Sequence, residues 1–150
     1  METTQSADIT NEEKLIGLFT HFSIFLGGIM LPIIFWLIYK DKSRFIKFHS
    51  LQALFFHIAY VVIIFLFVFI MIFGLVGLGL FSAGSHAVTG HGSSGLFVLG
   101  MIVFYGFLFL LIFGVIGLAV YMGVKAYHGE YVKYPIIGRI VYEHIFGKSE

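Results

Sequence analysis

The sequence predicts an all-α integral membrane protein with about three transmembrane helices, the first kinked or re-entrant, and a C-terminal amphipathic helix at the membrane interface. Three observations carry that prediction. Hydrophobic residues make up 59% of the chain and charged residues 11%, with a mean hydropathy of +1.00, which leaves too little charge to solvate a globular surface. No Asp, Glu, Lys or Arg occurs from residue 48 through residue 124, or from residue 15 through residue 39. The basic residues that do occur gather beside these apolar stretches.

Three parts follow: a polar, acidic segment 1–14, a helical membrane domain 15–134, and an amphipathic tail 135–150 on the cytoplasmic face. Glu2, Asp8, Glu12 and Glu13 stand where a cleavable signal would carry basic residues, so the first apolar block is expected to stay in the mature protein. Thr10 and Glu13 have the spacing of a capping box, which starts the first helix near Asn11.

A crossing takes roughly twenty apolar residues to cover about 30 Å of hydrocarbon. The blocks 15–39, about 51–80 and about 96–124 reach that length and are apolar on all sides, whereas a membrane strand would alternate in polarity. Gly27, Gly28 and Pro32 interrupt the first block. A bent span and a shallow re-entrant hairpin both fit, and the bent span is preferred, because neither half is long enough to cross alone.

Lys40, Lys42, Arg44 and Lys47 form a basic anchor before the second block, and Lys125, Lys133, Arg139 and Lys148 follow the third. The connection 81–95 has no basic residue and is rich in Gly, Ser and Thr, with two histidines, His86 and His91. The excess of Lys and Arg on cytoplasmic loops then puts 40–47 and the C-terminus inside and 81–95 outside. Three crossings leave the N-terminus outside; a re-entrant first block moves it inside.

The third helix is expected to stop near His128 and Gly129, with Gly as the left-handed closing residue. Pro135 suits the first position of a further helix, with Ile136, Ile137, Ile140, Val141 and Ile145 on one side and Arg139, Glu143 and Lys148 largely away from it. The runs Ile72-Phe73-Gly74-Leu75-Val76-Gly77-Leu78 and Ile112-Phe113-Gly114-Val115-Ile116-Gly117-Leu118 echo each other. Gly74, Gly77, Gly114 and Gly117, with Gly27 and Gly28, are candidate surfaces for close helix packing, against the first helix, another copy or another protein.

Chemistry has few candidates. There are no cysteines, no motif of a nucleophilic triad or phosphate loop, and no carboxylate within the apolar blocks, so no catalytic residue, metal ligand or cofactor is assigned and an enzyme is not expected. A net charge of +1 makes nucleic acid an unsuited partner. His49 and Gln52 share a helix face at the inner membrane edge. With Lys125, His128 and Tyr134 they form a candidate polar cluster. One reading has it bind a headgroup, substrate or loop; the other has His49 and Gln52 hydrogen-bond the helix entrance and the segment 129–135 with no ligand. Two polar residues, His21 and His57, lie inside the spans; His57 needs a partner in hydrocarbon, expected to be His21, Ser23 or Tyr60.

Several of these runs carry a likeness. His21 with Gly27-Gly28, Pro32-Ile33-Ile34-Phe35-Trp36-Leu37, then Lys42-Ser43-Arg44-Phe45-Ile46-Lys47-Phe48-His49-Ser50-Leu51-Gln52-Ala53, and Lys125-Ala126-Tyr127-His128-Gly129-Glu130-Tyr131-Val132-Lys133-Tyr134-Pro135 resemble a bacterial multi-pass membrane family of unknown function. That family is similar to the twenty-kilodalton inner-envelope component of the chloroplast protein import translocon. The resemblance implies a bacterial cytoplasmic (inner) membrane protein. The expected role is a non-enzymatic subunit or scaffold of a larger membrane complex or homo-oligomer, in contact with a bilayer that includes anionic headgroups. The alternative is a transport or protein-translocation component.

Overall fold

A computed structural model describes residues 9–26, 28–89 and 94–147, and every regular element in them is a helix. In order these are α1 (Asn11–Leu26), α2 (Met30–Tyr39), α3 (Arg44–Thr89), α4 (Ser94–Tyr127) and α5 (Ile137–Phe146). The expectations resting on residues 1–8, Gly27, His91, Lys148 and the His86 side chain lie outside the described residues. The chain divides into two bodies, one built from residues 1–59 and 116–150 and the other from residues 60–115.

In the first body α1 opens on the expected capping box. The Glu13 N–H donates to Thr10 Oγ1 at 3.2 Å, and the Thr10 N–H donates to Glu13 Oε2 at 2.8 Å. The helix closes where Gly28, at φ +52°, donates its N–H to the Ser23 carbonyl at 2.6 Å. Because α2 starts at Met30, Pro32 falls in a first helical turn, where a missing N–H removes no helical hydrogen bond. The proline therefore begins a second helix instead of bending the first.

That geometry corrects the preferred bent span. Tyr39 donates its hydroxyl to Glu12 Oε1 at 3.0 Å, and the Ser43 hydroxyl donates to Glu13 Oε1. On one continuous helix Glu12 and Tyr39 would stand about 40 Å apart. The first apolar block is instead a helical hairpin whose two ends meet, the shape that the re-entrant alternative expects. Its longer arm, the 16 residues of α1, reaches about 24 Å, short of the roughly 30 Å of hydrocarbon.

The centre of this body is Phe45, Ile46 and Ala126, with Ile9, Ile16, Phe35 and Tyr39 packed on it. Helices approach closely at two glycines. A Cβ on Gly17 would lie 3.0 Å from the Phe45 ring and 3.2 Å from Ala126 Cβ; one on Gly123 would lie 2.7 Å from the Phe22 ring. After Tyr127, Gly129 at φ +80° ends α4 as expected, with the Glu130 N–H donating to the Lys125 carbonyl at 3.1 Å.

Pro135 does not open α5, which is a second correction. Between them Ile136 adopts φ 64° and ψ −65°, and the Ile137 N–H donates to the Pro135 carbonyl at 2.7 Å. This is a γ-turn of the rarer, strained kind, unusual for a β-branched residue. Just beyond it, a Cβ on Gly138 would come within 2.6 Å of Lys133 Cα, so glycine lets α5 lie directly on the segment before it.

The second body is an antiparallel pair formed by parts of α3 and α4. The Phe67 ring meets those of Phe104 and Phe107 at 5.6 and 4.8 Å, Gly100 faces Leu75 and Leu78, and Gly79 faces Phe97. Most of its surface is large and apolar: Phe65, Ile102 and Leu110 are each about two-thirds exposed. A surface of that kind is solvated by lipid, not by water. Both α3 and α4 are long and apolar enough to cross a bilayer. The stretch 81–89, read above as part of a loop, continues α3 to Thr89. Its Ser and Gly residues mark a turn in water, but a helix satisfies its own backbone and so persists at a membrane edge.

Candidate functional site

Four polar side chains from three parts of the chain meet inside the first body. His21 from α1, His49 and Gln52 from α3, and Tyr134 from the segment before α5 are all at most 2% exposed. His21 Nδ1 lies 3.1 Å from the Tyr134 hydroxyl and its Nε2 lies 3.0 Å from His49 Nδ1. Gln52 Nε2 donates to the Val132 carbonyl at 2.9 Å and lies 3.3 Å from His49 Nδ1, while Gln52 Oε1 accepts the Tyr134 N–H at 3.3 Å.

These contacts orient the whole network. The Gln52 amide is fixed by the backbone, because only its nitrogen can donate to Val132 and only its oxygen can accept from Tyr134. His49 Nδ1, facing that NH₂ group, must therefore carry a lone pair. His21 Nε2 is then the donor to His49, and His21 Nδ1 accepts the Tyr134 hydroxyl proton. The chain of donors runs one way, Tyr134 to His21 to His49, with both rings neutral. Burial pushes the Tyr134 phenol well above its ordinary range, so it remains a donor at every physiological pH.

An aromatic shell closes around the network. The Phe45 ring lies 4.4 Å from that of His49, and Phe56 stacks on Tyr134 at 4.1 Å with the planes 8° apart. The donor chain ends on His49 Nε2, which is buried and finds no partner in good hydrogen-bond geometry among the described residues. His57 is buried nearby on the same helix, and its Nδ1 has no hydrogen-bond partner among the described residues. His21 and Ser23, expected to satisfy it, direct their bonds to Tyr134, His49 and the Thr20 carbonyl.

The candidate cluster thus separates into two groups. His49, Gln52 and Tyr134 come together, and His21 joins them, whereas Lys125 and His128 sit outside. Lys125 pairs with Glu130 at 2.9 Å, and the His128 ring bonds its own helix at the Val124 carbonyl. In the basic anchor, Lys40 lies over the Trp36 ring at 5.6 Å and Lys42 over Tyr39 at 5.8 Å, while Arg44 is exposed and Lys47 half-buried. Gly28 serves the turn, and Gly74, Gly77, Gly114 and Gly117 meet no described part of the chain within 4 Å of a Cβ. The glycines that do bring helices together, Gly17 and Gly123, were not singled out from sequence, because isolated glycines in apolar helices carry no pattern. In the sequence Glu13 reads only as a cap and Glu12 only as part of the acidic segment, yet their carboxylates tie the hairpin shut.

No group of three or more His, Asp or Glu side chains among the described residues is placed to hold a metal ion. The fold and this network define a small helical membrane protein in which buried polar groups of α1, α3 and the segment before α5 bind one another. Over residues 12–141 the chain matches the profile of MamF/MmsF, the magnetosome magnetite crystal formation protein family, and it belongs to that family. No curated protein and no solved structure matches it. The family match gives no support to the likeness with the chloroplast import translocon.

Proposed function

We propose that this chain is a non-enzymatic scaffold or subunit of the magnetosome membrane that acts where magnetite crystals form, by packing with itself or with a larger membrane complex. The family supplies the process. The observation that carries the scaffold role is the set of bonds made by Gln52, His49, His21 and Tyr134. They join residues up to 113 apart in sequence to one another and to backbone, and no carboxylate is among them. Such a network positions helices. The apolar surface of the second body, with its uncovered glycines, is then what such a scaffold offers to neighbours. The basic residues Lys40, Lys42, Arg44 and Lys47 hold the first body against the cytoplasmic leaflet.

The test is genetic and biochemical. In a magnetite-forming host, the chain should fractionate with magnetosome membranes, its removal should change crystal size or shape, and mild-detergent purification should recover it in complexes larger than a monomer. Unchanged crystals in the deletion strain, or a lone monomer in membranes without magnetosomes, would remove the basis of this reading.

A further inference from the structure

The first body carries an apolar groove between α3 and α5. Phe55, Ile58 and Ala59 form one wall and Ile137, Ile140 and Val141 the other, around a volume of about 420 Å³. The groove continues past Leu51 and His144 for about 230 Å³ more. Its larger part alone falls within the roughly 300–1,000 Å³ of small-molecule sites.

The two ends differ in chemistry. On α3 the residues Arg44, Lys47, Leu51, Phe55 and Ile58 recur at three- and four-residue spacing, so they share one face of the helix. That face carries two cations in its first turn and only apolar groups afterwards. On α5, Ile137, Ile140, Val141 and His144 likewise share a face, with Ile137 at the apolar end and His144 beside Leu51 at the cationic end. Arg44 and Lys47 form no ion pair among the described residues, where Lys125 and Glu130 do. The carboxylates of the same body at Glu12 and Glu13 are taken by Tyr39, Ser43 and Thr10. Ile140, meanwhile, is 62% exposed at the groove.

A cationic end leading into an apolar trough is complementary to an amphiphile with an anionic head. We propose that the groove seats one acyl chain of an anionic phospholipid, with the lipid phosphate held by Arg44 and Lys47. A second copy of the chain fits less well, because the long apolar stretch 48–124, which could fill the trough, contains no carboxylate to meet the two cations. The bound lipid would cover Ile140 and fasten α5 to the start of α3.

The test uses the full chain purified in mild detergent, with native mass spectrometry as the readout and phosphatidylglycerol and phosphatidylcholine as probes. One phosphatidylglycerol per chain is expected to be retained in preference to phosphatidylcholine. Neutralising both cations (Arg44→Gln with Lys47→Gln) should weaken that retention about 30-fold, at about 1 kcal/mol per basic group near an anionic lipid. Ile140→Trp, which fills the trough from an exposed position, should displace the lipid while leaving the melting temperature of the lipid-free chain unchanged. Equal retention of the two lipids, or undiminished phosphatidylglycerol binding in the double variant or in Ile140→Trp, would overturn the proposal. So would a disulfide-linked dimer forming readily through Ile140→Cys, which would assign the groove to a second copy.

Discussion

Replacing Gln52 with Leu keeps the bulk of a buried side chain and removes three hydrogen bonds at once. The three partners lose unequally. The Tyr134 N–H is buried and has no other acceptor among the described residues, so it bears the full cost of an orphaned donor, about 1–3 kcal/mol. The Val132 carbonyl belongs to a half-buried residue and can turn toward water, and His49 Nδ1 keeps the proton of His21. Counting all three at the membrane-protein average of about 0.6 kcal/mol each gives a lower figure near 2 kcal/mol. A loss of about 2–3 kcal/mol is therefore expected in denaturant unfolding of the detergent-solubilised chain, followed by fluorescence of Trp36, the single tryptophan. Gln52→Glu sharpens the test. One oxygen still accepts from Tyr134, but the other faces the Val132 carbonyl and the His49 lone pair, so this variant should be less stable than Gln52→Leu at neutral pH and recover on acidification. A Leu variant within about 0.5 kcal/mol of the parent, well below the cost of one orphaned buried donor, would refute the network as a determinant of stability. A Glu variant no worse than the Leu one would refute the assigned direction of its hydrogen bonds.

The absence of cysteine allows clean single-cysteine labelling: Asn11→Cys and Lys42→Cys should react with an impermeant maleimide from the same side of the membrane, and opposite sides would restore the bent span. Gly138→Ala should destabilise the first body by about 1–3 kcal/mol through overpacking against the Lys133 backbone, whereas the open Gly114→Ala should be tolerated, as thermal melts of the two variants will show. Partial burial raises the Glu13 carboxyl, but hydrogen bonds from Ser43 and Thr10 outweigh it and hold the group below the ordinary carboxylate range. A carboxyl lowered by folding stabilises above its unfolded value and loses that contribution as pH falls through the lowered one. Melting temperature should thus drop from about pH 4.5 downward, less steeply in Glu13→Gln; identical acid limbs would show that the hairpin clasp contributes nothing.

Local chemistry was legible in the sequence and long-range closure was not. Thr10 with Glu13 and Gly129 after Tyr127 place a helix start and a helix end, because each acts within one turn. Gly27, Gly28 and Pro32 announce a break but cannot say whether the chain bends or returns, since that depends on Glu12 meeting Tyr39 and Glu13 meeting Ser43 about thirty residues away. The composition of 81–89 marks a loop in water but not at a membrane edge, where a helix satisfies its own backbone. Pro135 was placed two residues early because nothing in the sequence marks Ile136 for a positive φ. At the site, His49 and Gln52 were legible as a pair from their spacing. Lys125 and His128, expected beside them at the inner membrane edge, stay outside because the close of α4 turns both outward.

The polar network draws its members from both sides of the connection at residues 90–93: His21, His49 and Gln52 precede it, and Val132 and Tyr134 follow. Continuity of the polypeptide at that point is thus not what keeps these pieces matched. Two separately synthesised portions, 1–89 and 94–150, each carry an unfinished half of the same lock. When both are made together in one membrane, they have the means to find each other and reconstitute the first body without a peptide bond between them.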